Sequence, residues 1–207
     1  MMRLLKMFLL LLLLIVASPM STRVEASAIK TSGPSSSVKA VKKRATAFLK
    51  AVKRYDQKTI NKSFLPRNMR KDISYFDKGY GVDKMCRKLN RKHFTYKIKR
   101  ISVSENSAKV KVRVTYYAGY DLCGAAFLKT VDYFNGRVPD GKTILKRIYI
   151  YMTRYYKQYK DPGYYVDSKT ITLPYKKHNG NWYISSMSRS LSDVVNCEFA
   201  TTIEDCV

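Results

Sequence analysis

The pair Asn179-Gly180, set between two alternating runs, constrains this chain more than any other feature. Both residue types accept positive φ, and such a pair makes a two-residue turn whose twist suits a β-hairpin. With the turn there, His178 opposes Asn181, Lys177 opposes Trp182 and Tyr175 opposes Ile184. Ile171, Leu173, Tyr175, Trp182 and Ile184 then share one face, and Thr170, Thr172, Lys176, Tyr183 and Ser185 share the other. Tyr175, Trp182 and Ile184 are therefore core candidates, with Phe48 from a helix near the N-terminus.

A second hairpin lies upstream. Ala108, Val110, Val112, Val114 and Tyr116 alternate with Lys109, Lys111, Arg113 and Thr115, so one face is apolar and the other basic. Its partner strand spans 94–104, where Phe94, Tyr96 and Ile98 alternate before the parity slips to Ile101 and Val103; a bulge near Lys99-Arg100 restores the register.

Helices precede and separate these hairpins. Val38, Val41, Ala45, Phe48, Leu49, Val52 and Tyr55 recur at helical spacing, which predicts a helix over 38–55 with Ser36 or Ser37 as its N-cap. Asp56 is placed to cap a short second helix, which Pro66 ends. A third helix covers 82–92 with Val82, Met85, Cys86 and Leu89 inward, after an ambiguous stretch at 69–81 with Ile73, Tyr75 and Phe76 as buried points. Asp121 is expected to cap a helix that Gly136 stops near Asn135. Residues 143–160 read as a helix, although their tyrosine and isoleucine content also permits a strand.

Residues 1–28 read as a signal peptide: Arg3 and Lys6 precede the apolar run Phe8–Val16, and Ala26-Ser27-Ala28 is a small-x-small cleavage site. The cut could fall earlier, and an uncleaved anchor is the alternative. Residues 29–37 are expected to be a flexible lead-in, 38–191 a single domain and 192–207 a cysteine-containing tail in loop conformation. The leader places the protein outside the cytoplasm, secreted or associated with the cell envelope.

The stretches AFLKAVKRYDQKTI (Ala47–Ile60), YKIKRISVSENSAKVKVRVTY (Tyr96–Tyr116) and LPYKKHNGNWYISSMS (Leu173–Ser188) resemble the nuclear-transport-factor-2-like superfamily, and within it small exported bacterial domains of unknown function. The resemblance covers about residues 38–191. It implies a cone-shaped α+β fold: N-terminal helices packed on a curved antiparallel sheet, with a helical insertion between the two hairpins. It also implies a pocket in the cone, but no activity, because the superfamily is functionally diverse. The chain departs from those domains in having no lipid-attachment cysteine after its apolar run and in its high positive charge.

Enzymes of that fold need a pocket acid or base and a donor for a developing oxyanion. Asp56, Asp121, Tyr96 and Tyr116 are the candidates, but the aspartates already have a role as helix caps and the tyrosines as core aromatics; His93 and His178 are expected to be exposed. The chain has no nucleophile elbow, zinc-binding helix or phosphate-cradling glycine loop. No catalytic residue, cofactor or metal site is expected.

Four cysteines in an exported chain suggest two disulfides out of three possible pairings. Cys197–Cys206 closes a C-terminal loop and leaves Cys86–Cys123 by elimination; buried thiols are the alternative reading.

Charge is the stronger clue. The chain carries 40 Lys+Arg against 15 Asp+Glu, a formal +25, and loss of residues 1–28 would leave 37 against 14, or +23. Lys97, Lys109, Lys111 and Arg113 should point away from the core on the first hairpin, and Arg87, Lys88, Arg91 and Lys92 should line the third helix. Lys42, Lys43, Lys50 and Lys53 add to this on the first. Each cluster alone fits a solvated face, but an excess of this size attracts polyanions over a screening length of ~8–10 Å. The expected function is non-enzymatic: electrostatic association with an anionic envelope polymer, a lipid headgroup surface or a partner protein. Export argues against intracellular nucleic acid. The alternatives are a small-ligand or peptide binder using the cone pocket, and a small isomerase-like or hydrolase-like enzyme. Tyrosines interleaved with Lys and Arg at 149–160 could stack on sugar or base rings, or simply pack inward.

Overall fold

The computed structural model describes residues 28–66, 82–137, 140–159 and 165–206. The leader expected at 1–28, its last residue apart, and the stretch 69–81 lie outside them. The described chain is α+β: helices pack on one open, mostly antiparallel sheet of five strands, consistent with the cone described above.

The strands are β1 (Lys30–Ser32), β2 (Thr95–Val103), β3 (Ser107–Tyr117), β4 (Val166–His178) and β5 (Asn181–Ile184), adjacent in that order. β1 runs parallel to β2, and the other neighbours are antiparallel. Asn179 (φ 46°) and Gly180 (φ 75°) make the expected turn, and His178, Lys177 and Tyr175 oppose Asn181, Trp182 and Ile184. In β2 the register shifts between Ile98 and Arg100, so Lys99 is the extra residue of the predicted bulge. Beyond it, Arg100 opposes Lys111 and returns to the face that carries Lys97.

The helices are α1 (Ser35–Arg54), α2 (Gln57–Lys62), α3 (Val82–His93), α4 (Tyr120–Phe134), α5 (Gly141–Tyr159), α6 (Arg189–Asn196) and α7 (Phe199–Cys206). Three expectations about their ends are corrected. Pro34, not Ser36 or Ser37, is the N-cap of α1, with no side-chain cap bond; the serines lie inside the first turn, and the Val38 amide donates to the Pro34 carbonyl at 2.9 Å. The expected lead-in at 29–37 thus holds β1 and the start of α1. Asp121 does not cap α4. Gly119 does, because its amide is tied to the Cys197 carbonyl at 3.0 Å, and a Cβ there would meet the Phe199 ring at 2.0 Å. The tail is not a loop: Ser188 caps α6 by accepting from the Leu191 amide at 3.2 Å, and α7 follows.

The expected disulfides are corrected too. Cys86, Cys123 and Cys197 are buried thiols. They face different acceptors: Cys86 the Asn196 carbonyl at 4.0 Å, Cys123 the Phe199 carbonyl at 4.0 Å, and Cys197 the Asn90 side-chain oxygen at 3.3 Å. Cys206 is the last of the 8 residues of α7, and Cys197 lies two residues before the first, so a helix of roughly 12 Å stands between them, whereas a disulfide needs Cα atoms within about 7 Å.

Two apolar clusters hold the elements together. In the first, Phe48, Leu49 and Val52 of α1 and Leu191, Val194 and Val195 of α6 cover Val110, Val112, Val114, Ile171, Leu173, Tyr175, Trp182 and Ile184 on the sheet. In the second, Ile148 and Met152 of α5 pack with Cys123 and Ala126 of α4, Leu89 of α3 and Phe199 of α7. The helical reading of the 143–160 stretch is the observed one over its described residues, as α5 runs Gly141–Tyr159.

Candidate anion-binding face

Strand parity builds the site. Along β3, Ala108, Val110, Val112, Val114 and Tyr116 are buried, and Lys109, Lys111 and Arg113 between them are exposed. Pairing aligns further outward residues beside these. On β2, Lys97 opposes Arg113 and Arg100 opposes Lys111; on β1, Lys30 opposes Arg100; on β4, Thr170 opposes Arg113, Thr172 opposes Lys111 and Lys176 opposes Ser107. Lys30, Lys97, Arg100, Lys109, Lys111, Arg113 and Lys176 are all exposed. The outward strand positions carry no acidic side chain, and none of the seven cations is in an ion pair among the described residues.

The acids stand on the other side. Asp167 and Lys169 occupy the inward parity of β4, opposite Tyr116 and Val114. Lys169 Nζ lies 3.1 Å from Asp193 on α6 and 3.5 Å from Glu198, which precedes α7. The Tyr116 hydroxyl donates to Glu198 Oε1 at 2.5 Å and lies 3.3 Å from Asp167 Oδ2. Burial first, and the Glu198 contact next, push the Tyr116 phenol well above its ordinary value, so it stays a donor. Two successive left-handed residues, Cys197 (φ 54°) and Glu198 (φ 63°), turn the chain so that this carboxylate reaches the sheet. Three of the chain's acids thus serve Lys169 and Tyr116 rather than the outer face. Among the described residues no group of His, Cys, Asp or Glu could hold a metal ion.

Of the predicted basic residues, the structure brings together Lys97, Lys109, Lys111 and Arg113. Arg87, Lys88, Arg91 and Lys92 belong to α3, which packs on α1 and α6: Asn90 Nδ2 donates to the Val52 carbonyl (3.2 Å) and the Val195 carbonyl (3.1 Å). Lys88 Nζ sits 5.6 Å from the centre of the Tyr156 ring, and Arg87 borders an open hollow of about 570 Å³ with Asp56, Lys58 and Lys62. Lys42, Lys43 and Lys50 line a shallower depression on the outer side of α1. Sequence reasoning put Lys176 on the outward face of the last hairpin but did not join it to the basic cluster, and it missed Lys30 and Arg100; Arg100 was findable, because a bulge at Lys99 turns it outward. It also missed the Tyr116–Glu198–Lys169 cluster, whose signal was two charged residues at core parity in β4.

The catalytic candidates have structural occupations. The Asp56 carboxylate accepts from the Thr59 amide at 3.2 Å and the Thr59 hydroxyl at 2.6 Å, and these bonds hold it below the usual carboxylate range. Tyr96 is half-buried beside Phe94. His93 and His178, expected to be exposed, are half-buried against Tyr117 and Tyr183. Along β3 and β4 the concavity is core, filled by α1 and α6. Trp182, Tyr175, Ile184 and Phe48 are buried there as expected. In the 149–160 stretch Tyr149 is buried, and Tyr151, Tyr155 and Tyr156 are half-buried.

No protein-family model matches the chain, and no curated protein matches it. Among solved structures it is similar to a protein of Bacillus subtilis subsp. subtilis str. 168 whose crystal structure is described as that of a putative lipoprotein. Identity is 17%, the TM-score is 0.32, and the match covers 60% of this chain and 36% of that one. A likeness this slight assigns no family and carries no functional conclusion.

Proposed function

We propose that this is an exported, non-enzymatic binding domain that holds an anionic polymer, headgroup surface or acidic partner on the open face of its sheet. The observation that supports the reading is segregation of charge. Seven exposed cations share one face without an acid, while Asp167, Asp193 and Glu198 gather around Tyr116 and Lys169 on the opposite, helix-covered side of the sheet. A solvated basic strand in an ordinary domain is dotted with compensating acids; one-sided charge instead focuses the field outward. Export rests on Arg3, Lys6, the apolar run Phe8–Val16 and Ala26-Ser27-Ala28.

Retention on an anionic matrix at rising salt tests this, because release of condensed counterions makes polyanion binding steeply salt-dependent. A Lys109→Glu/Lys111→Glu/Arg113→Glu variant should elute at much lower salt than a Lys42→Glu/Lys43→Glu/Lys50→Glu variant, which makes the same change in net charge on α1. Equal losses would show that retention follows total charge, and the face would lose its role.

A further inference from the structure

We infer that the face takes a linear polyol-phosphate polymer, one phosphodiester per repeat, lying in single file along β3; this rests on the anion-binding reading above and names its ligand class. Lys109, Lys111 and Arg113 are alternate residues of one strand and all exposed. Their side chains therefore leave the strand every ~7 Å. A polymer with about six single bonds from one phosphorus to the next repeats at ~7 Å when extended, from bond lengths of about 1.5 Å. Such a chain keeps one phosphate over each cation, whereas a polymer with another charge spacing loses register within a few residues.

The neighbouring strands suit the same ligand. Arg100 and Lys97 oppose Lys111 and Arg113 across β2, so two phosphates in the row meet cations from two strands. On the other flank, Thr172 and Thr170 oppose the same two residues, and Ser168 opposes Thr115. Hydroxyls both donate and accept, so they can serve phosphate oxygens and the hydroxyls of a polyol link alike. Arg adds the planar fork that phosphate accepts in two bonds.

A nucleic acid shares the backbone repeat, but its bases need ring surfaces to stack on. The exposed outward residues of β2, β3 and β4 are Lys, Arg, Ser and Thr; Tyr117 at the end of β3 is buried, and Tyr183 on β5 is half-buried beside His178. The face serves a backbone without bases.

The test is equilibrium binding of the full chain at physiological salt to four probes: poly(glycerol phosphate), single-stranded DNA and poly-glutamate of equal charge number, and phosphatidylglycerol vesicles. Poly(glycerol phosphate) should bind on the order of tenfold more tightly than the others, and Lys111→Glu should remove that preference while Lys50→Glu, also on the surface, preserves it. Equal affinity for all four overturns the inference and leaves the anion-binding reading standing. Tighter binding of DNA or vesicles overturns it in favour of bases or a two-dimensional surface. Preference unchanged in Lys111→Glu moves the site off β3, and binding to none of the probes ends both readings.

Discussion

Trp182 is the residue on which the last hairpin closes its side of the core. Its indole is buried among Tyr175, Ile184 and the residues of α1 and α6. Trp182→Ala should destabilise the fold by about 3–5 kcal/mol; a denaturant melt with an unchanged midpoint would contradict that placement. Asp56 acts at a helix start. Asp56→Ala should cost about 1 kcal/mol, and Asp56→Asn much less, because both Asp and Asn cap well. The sign of the pH effect follows from the cause of the shift. Thr59 favours the ionised carboxylate, so the folded value lies below the unfolded one, 3.8. The contribution is present above the unfolded value and is lost as pH falls through the folded one. Wild type should therefore fall towards Asp56→Asn in stability only in acid. A difference that grew as pH dropped would refute the assignment. Glu198 holds the start of α7 to the sheet through Tyr116 and Lys169. Glu198→Ala should cost about 1 kcal/mol by removing the shorter of the Tyr116 phenol's two hydrogen bonds and leaving it the longer one to Asp167, with faster amide exchange in α7 than in β3. Uniform acceleration across both would assign Glu198 a global role instead.

At the scale of elements, both hairpins are legible in the chain because burial with period two, pinned by one turn, admits one register. The bulge at Lys99 is legible for the same reason, since parity on either side of it disagrees. The ends of α1 and α4 are not: a serine beside a helix start looks like a cap whether or not the chain has already turned helical, and the tie from Gly119 to Cys197 joins residues far apart in sequence. The two C-terminal helices are hidden by their length. Eight residues carry only two turns of pattern, and such helices are stable through packing on a sheet rather than by themselves. Two cysteines in that stretch then favoured a loop reading that burial of Leu191, Val194 and Val195 overturns. Cys86, Cys123 and Cys197 are enclosed by α3, α4 and the α6–α7 junction. Thiol alkylation of the native protein should leave these three unmodified and denaturant should expose them. Rapid labelling of all three in native conditions would contradict the packing of the second cluster.

Over the whole molecule, the arrangement that matters is the separation of signs. The outward cations of β3 are readable from alternation alone. The size of the face is not, because Lys30 and Arg100 join it through strand pairing and a bulge, and Lys176, outward by alternation, is brought beside β3 only by the pairing of β3 with β4. Nor is the absence of acids from it, which depends on Asp167, Asp193 and Glu198 being drawn to Lys169 and Tyr116 on the concave side. Amide chemical-shift mapping during titration with a phosphodiester polymer tests the central claim most directly. The account predicts that the shifts concentrate in residues 97–113 and 168–176 and reverse on adding salt. Shifts centred on α1 or α3, with β3 silent, would contradict it.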